Sequence, residues 1–345
     1  MAPGAGRRYC PRLPTHGGKG HGVTIIFLPL GGTISMVTSA GGKGATPRLT
    51  GEDLLKACGY SGPVAISARV PIASANLGLA DLIGIAREIE QAFESGAHGA
   101  VVTLGTDTLE EVAFALDLLI DSDRPMVLTG AMRFANQPGS EGAANLRAAF
   151  EVASDPDAGG RGVLVVMNDE IHAARFVTKA NTISTAAFSS APFGPIGIVR
   201  EGGPVWAFRP NSWPGKLAAA PVSPQVPVLT PGFGDDPEYL ETFLTHPPDG
   251  AVIAALGAGH VPARMVAVLE KLAGRRPVVL ASRILAGPIL RRTYGYPGAE
   301  MDLIGRGLIP SGILNAAKAK VALQILLSAG RTIEDIRSSF EKLQP

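Results

Sequence analysis

Four continuous apolar runs constrain this chain more than any other feature: "VTIIFLPL" (23–30), "GAVVT" (99–103), "MVLTGAM" (126–132) and "GVLVVMN" (162–168). Each is of strand length without polar alternation, the pattern of a parallel strand buried on both faces. Between them lie helical stretches, Ala80–Ser95, Leu109–Ile120 and a segment from Gly142 to about Ala153. Strands alternating with helices predict a parallel sheet wrapped on both sides, with active groups beyond the carboxyl ends of its strands. Thr33, Thr103–Asp107 and Gly130–Arg133 all fall at such ends.

The pattern resumes after a break. Trp206 to Pro227, "WAFRPNSWPGKLAAAPVSPQVP", is proline-rich and aperiodic, as a linker is. Beyond it come "AVIAALG", "PVVLAS" and helices near Ala316–Ser328 and Ile333–Leu343. The expected organisation is a tail over residues 1–22, expected to be disordered, then a larger α/β domain at 23–205, a linker at 206–227 and a smaller α/β domain at 228–345. Hydrophobic residues at 46% supply the cores that two domains of a 345-residue chain need.

Composition removes several function classes. With 31 basic and 30 acidic side chains there is no charge footprint for nucleic acid or an anionic membrane surface. No apolar run approaches the roughly 20 residues of a membrane-spanning helix. Cutting off "VTIIFLPL" as part of a signal peptide would remove a core strand, so a cytoplasmic location is expected. Cys10 and Cys58 fit a reducing compartment. Six scattered histidines without HExxH give no metal site, and "GGKG" at 17–20 and 41–44 lacks the Ser or Thr of a phosphate loop. No GxSxG elbow is present. Neither a cofactor nor a metal is expected.

Hydroxyls remain. Thr108-x-x-Glu111 fits a capping box at the start of the helix at Leu109. That reading covers Thr108 and Glu111 but not Thr106 and Asp107, which lie upstream. Lys179, in "FVTKANT", is a cation on a polar loop, readable as solvated or as functional.

Taken in order, these segments resemble the bacterial L-asparaginase/glutaminase family. "LGGTI" (30–34) and "LGTDTLEE" (104–111) resemble its two threonine signatures; "TGAMR" (129–133), "VTKANT" (177–182), "GPIG" (194–197) and "SGILNAAKAKVALQILL" (311–327) follow in family order. The resemblance spans nearly everything from residue 23 to 345. It implies a two-domain fold, a homo-oligomer (dimer or dimer of dimers) with sites at a dimer interface, and hydrolysis of a small-molecule amide, asparagine first. Carried over residue by residue, it makes Thr33 the nucleophile. Thr106, Asp107 and Lys179 become the proton-handling set, chemically sensible because a threonine hydroxyl needs a neighbouring base and a desolvated lysine can serve. Ser74 and Asp107 would bind the substrate's head group, and backbone N–H groups near Thr106 and Ala131 would form an oxyanion hole.

The chain departs from the family pattern at several points. Leu30 and Leu104 replace a threonine and a histidine of the signatures, which lowers the expected site polarity. Ala75 and Asn76 stand where Gln-Asp is common. Residues 35–59 lack the family's lid tyrosine, the nearest counterpart being "GATP" (44–47), and Tyr60 comes too late. Alternative readings are a non-catalytic ligand-binding homologue, a hydrolase of a modified or peptide-linked asparagine, and an amidotransferase subunit acting on misacylated tRNA. The last would need a partner and an appended domain.

Overall fold

The computed structural model describes residues 24–38, 44–211 and 216–343. The expected tail at 1–22 lies outside these, as do both "GGKG" segments apart from Gly44 and part of the expected linker.

The larger sheet has eight strands: β1 (Ile25–Pro29), β2 (Val64–Ile66), β3 (Gly99–Thr103), β4 (Met126–Thr129), β5 (Val163–Met167), β6 (Glu170–Ala173), β7 (Gly197–Arg200) and β8 (Gly203–Trp206). Their order is β8-β7-β6-β5-β4-β3-β1-β2. The five strands β2-β1-β3-β4-β5 run parallel and the remaining three pairings are antiparallel. From β1 the chain moves outward to β2, then crosses back to β3 on the other side. That reversal opens a crevice between the carboxyl ends of β1 and β3, where ligands of such sheets bind.

Helices α1 (Gly51–Cys58), α2 (Leu79–Glu94), α3 (Leu109–Leu119) and α4 (Gly142–Ser154) connect the parallel strands. Successive strand residues point to opposite faces, and the two cores sort accordingly. Ile26, Leu28, Ala100 and Val102 pack with α2 and α3, whereas Ile25, Phe27 and Val101 pack with α1 and α4. Phe27 meets Phe150 edge-on at 5.4 Å between ring centroids, and Tyr60 stacks on Phe150 while its hydroxyl bonds Ser154, so Tyr60 serves the packing of α1 against α4.

The smaller sheet is parallel throughout: β9 (Val228–Leu229), β10 (Ala251–Ala255), β11 (Val278–Ser282) and β12 (Ile309–Pro310), in that order. Around it lie α5 (Glu238–Thr245), α6 (Val266–Ala273), α7 (Glu300–Gly305), α8 (Ala316–Ser328) and α9 (Ile333–Lys342). Ala319, Ala322, Leu323 and Leu326 of α8 belong to the same buried cluster as α3, so one face of the first core continues into the second sheet. This shared core lets α8 act on the site described next.

Candidate active site

Backbone contacts bring the loops at the ends of β1 and β3 together. Gly32 has φ +89°, and a Cβ there would lie 2.4 Å from the amide nitrogen of Gly105. A Cβ on Gly105 would lie 2.5 Å from the Ser74 hydroxyl oxygen. Only glycine permits this approach. The residues that follow, Thr33 and Thr106, are therefore held on touching loops beside Ser74. Thr33 opens a short 3-10 turn, Thr33–Ser35, and is partly exposed. Its hydroxyl makes no hydrogen bond with any described residue. The next residue, Ile34, is buried with Ala131.

The segment after that turn folds back as a hairpin, Met36–Thr38 antiparallel to Ala45–Pro47, so most of "GATP" forms its returning strand. Asn136 pins the hairpin, accepting from the Thr38 N–H and donating to the Thr38 hydroxyl.

Thr106, Asp107 and Lys179 form one bonded group. The Lys179 Nζ donates to Thr106 Oγ1 at 3.0 Å and to Asp107 Oδ1 at 2.8 Å. Thr106 is buried; the Lys179 side chain is 18% exposed and that of Asp107 75%. Lys179 is thus no solvated loop cation. It sits on a two-residue strand, Thr178–Lys179, paired with Phe188–Ser189.

Sequence reasoning missed the side chains behind it. Glu110, buried on α3, accepts the Lys179 N–H through Oε2 at 2.6 Å and the Asn315 Nδ2 through Oε1 at 3.1 Å. Asn315 caps α8, its Oδ1 taking the Lys318 N–H. The fully buried Lys318 ammonium donates to the carbonyls of Arg175 and Val177. Burial pushes its pKa down to about 8 against the opposing pull of Glu110, Glu111 and Asp117.

Two expectations require correction. Thr108 occupies the N-cap position of α3, but its hydroxyl donates to the Ser74 carbonyl at 3.0 Å, so no capping box forms. Tertiary contact outcompetes the local bond, and Glu111, turned toward α8, has its pKa raised to about 7 by burial and by Glu110. Leu30 and Leu104 do not lower the polarity of a site surface, because both are wholly buried in the apolar core.

Ser74 is buried in the turn Ser74–Asn76, whereas Ala75 and Asn76 are exposed. Ala131 is wholly buried. No group of three or more His, Cys, Asp or Glu suited to a metal ion occurs among the described residues.

Fold and site together define the class of asparaginase-like amidohydrolases. Residues 24–212 match the asparaginase N-terminal domain and residues 225–340 the glutaminase/asparaginase C-terminal domain. The chain belongs to the asparaginase family. A probable L-asparaginase of Deinococcus radiodurans is 40% identical over 323 residues, 92% of this chain and 96% of that one. A glutaminase-asparaginase of Pseudomonas fluorescens is 29% identical over 92% of this chain and 89% of its own. The crystal structure of a probable cytoplasmic L-asparaginase from Campylobacter jejuni superposes with a TM-score of 0.83 at 28% identity, covering 92% of this chain and 99% of that chain.

Proposed function

We propose that this chain hydrolyses the side-chain amide of L-asparagine to aspartate and ammonia through a threonine acyl-enzyme. The observation that carries the reading is the ammonium of Lys179, bonded at once to Thr106 and Asp107 on a loop packed against that of Thr33. The Thr33 hydroxyl attacks the amide carbonyl and its proton passes to the amide nitrogen; the C–N bond breaks, ammonia leaves, and an ester remains. Water then adds to the ester, its proton passing by way of the Thr106 hydroxyl to the departing Thr33 oxygen, while the Lys179 ammonium holds Thr106 in place. Backbone N–H groups near Thr106 and Ala131 stabilise the oxyanion, and Ser74 and Asp107 hold the substrate's carboxylate and ammonium.

Ammonia release from L-asparagine, D-asparagine, L-glutamine and short asparagine peptides tests this, with Thr33→Ala and Thr106→Ala as controls. Turnover of L-asparagine abolished by both substitutions is expected; turnover that survives both overturns the mechanism. One observation favours a second reading within the same chemistry. Ala75 and Asn76 lie exposed next to Ser74 and add no second carboxylate beside Asp107 for a free α-ammonium, which suits a modified or peptide-linked asparagine. Faster release from peptides than from the free amino acid would favour it.

We place the domain limits at 23–206 and 228–345, one residue beyond the expected end of the first domain because Trp206 closes β8. The enzyme is further proposed to act in the cytoplasm as a homo-oligomer. Tyr294, Tyr296, Ile284 and Leu285 are exposed on the smaller domain, the kind of apolar surface that association covers. Light scattering that gives a monomer mass at micromolar concentration would remove the oligomer.

A further inference from the structure

We infer that Glu110 and Asn315 are positioning residues for Lys179, through which the smaller domain fixes the ammonium of the site; this rests on Lys179 being the catalytic cation proposed above. The strand that carries Lys179 has two residues and a two-residue partner. So short a ladder defines the height and tilt of its side chains poorly. External bonds supply the definition. The Glu110 carboxylate takes the Lys179 N–H with one oxygen and the Asn315 amide with the other. The Asn315 Nδ2 also donates to Thr178 Oγ1 at 3.0 Å, and its Oδ1 takes the Lys318 N–H at 2.9 Å. Both Nδ2 hydrogens and the carbonyl oxygen of Asn315 are thus committed at once.

Glu110 lies on α3 in the larger domain and Asn315 at the start of α8 in the smaller one, 205 residues apart. Lys318, one turn into α8, adds its ammonium to the carbonyls of Arg175 and Val177, just before the same strand. Three consecutive polar attachments, at 177, 178 and 179, therefore tie the lysine strand to the N-terminal turn of α8 or to the carboxylate that turn holds. A buried carboxylate is costly unless its oxygens are bonded, and here both are spent on placing Lys179. Its Nζ must meet two acceptors together, and an error of about 1 Å in such a group costs roughly 100-fold in rate.

The test exchanges the polarity of the link. In Glu110→Gln one oxygen still serves the Lys179 N–H, but the new amide NH2 faces that of Asn315. In Asn315→Asp the α8 cap survives, but two carboxylates face each other. The double variant pairs the new amide with the new carboxylate, restores a donor to an acceptor, and leaves net charge unchanged.

Each single variant should lower kcat for L-asparagine by roughly 10- to 100-fold with KM within about twofold, and the double variant should recover to within about threefold of the parent. Lys179→Met is assayed alongside. If it is inactive while the folded single variants keep the parent's kcat, the positioning role is overturned and the catalytic reading stands. A double variant that folds but regains nothing overturns it as well, since loss then follows from general disruption. An active Lys179→Met protein removes the catalytic reading itself. Should Glu110→Gln fail to fold, Asn315→Asp and the double variant still give the comparison.

Discussion

Thr106, Asp107 and Lys179 are joined by side-chain hydrogen bonds and buttressed from both domains, whereas Thr33 stands on a loop that meets its neighbours through backbone contact. One half of the site is fixed by polar bonds that specify individual atoms. The other is fixed by closeness, with two glycines letting loops touch. A proton-handling group gains from fixed partners, because its function is to hold a hydrogen in a defined direction. A nucleophile gains from a hydroxyl without fixed bonds, since it must turn toward the carbonyl. The contrast predicts that the two halves fail differently when altered.

The largest effect is expected at Thr33. Thr33→Ala removes the oxygen proposed to attack and no hydrogen bond to a described residue, so kcat should fall by at least ~1,000-fold while the melting temperature stays within a few degrees of the parent. An alanine variant keeping a tenth of the activity would remove the distinction between the halves. Lys179→Met comes next. Loss of a general acid–base group typically costs ~100- to 10,000-fold, and here it also strips Thr106 and Asp107 of a shared donor. Both activity and melting temperature should fall; an unchanged melting temperature would show that these bonds contribute no stability.

Gly32→Ala probes the half built on closeness. The new Cβ would lie 2.4 Å from the Gly105 nitrogen in a left-handed conformation. Strain and overpacking together should cost about 2–4 kcal/mol in urea-induced unfolding. Activity should fall too, because relief of the clash moves Thr33 away from Thr106. A cost below half a kcal/mol would mean that the loops yield easily and that closeness sets nothing.

How much of this was legible in the sequence follows the same division. Gly99–Thr103 was readable to the residue and a helix near Ala316–Ser328 was readable from its pattern, because strands buried on both faces are continuously apolar and long helices keep their period. Thr33 and Thr106 could be placed at strand ends for the same reason. The antiparallel strands Glu170–Ala173, Gly197–Arg200 and Gly203–Trp206 were not separable by pattern, being short, mixed in polarity and defined by pairing. Glu110 and Asn315 left no signal at all: their bond joins residues 205 apart, and each looks locally like an ordinary helix-start residue. Thr108 misled for the converse reason. Its local capping pattern was intact, but the Ser74 carbonyl, 34 residues earlier in the chain, claimed its proton.

The smallest effect concerns Glu111, which the missing capping box leaves beneath α8. Burial, with Glu110 on the same helix adding repulsion, raises its pKa from 4.5 to about 7, while Lys318 and Lys320 from α8 pull the other way. Between those values the folded chain holds a proton that the unfolded chain has released. The contribution to stability is therefore full below pH 4.5 and declines as pH rises through 7. Glu111→Gln mimics the protonated form at every pH. Its stability should match the parent's near pH 5 and exceed it by about 1–2 kcal/mol at pH 7, a discount on the full shift for partial exposure. Urea titrations at pH 5 and pH 7 read this directly, below the midpoint near pH 8 at which Lys318 loses its proton. A stability difference that does not change with pH would place the Glu111 carboxyl in contact with solvent. The polar framework behind Lys179 would then end at Glu110 rather than continue along α3.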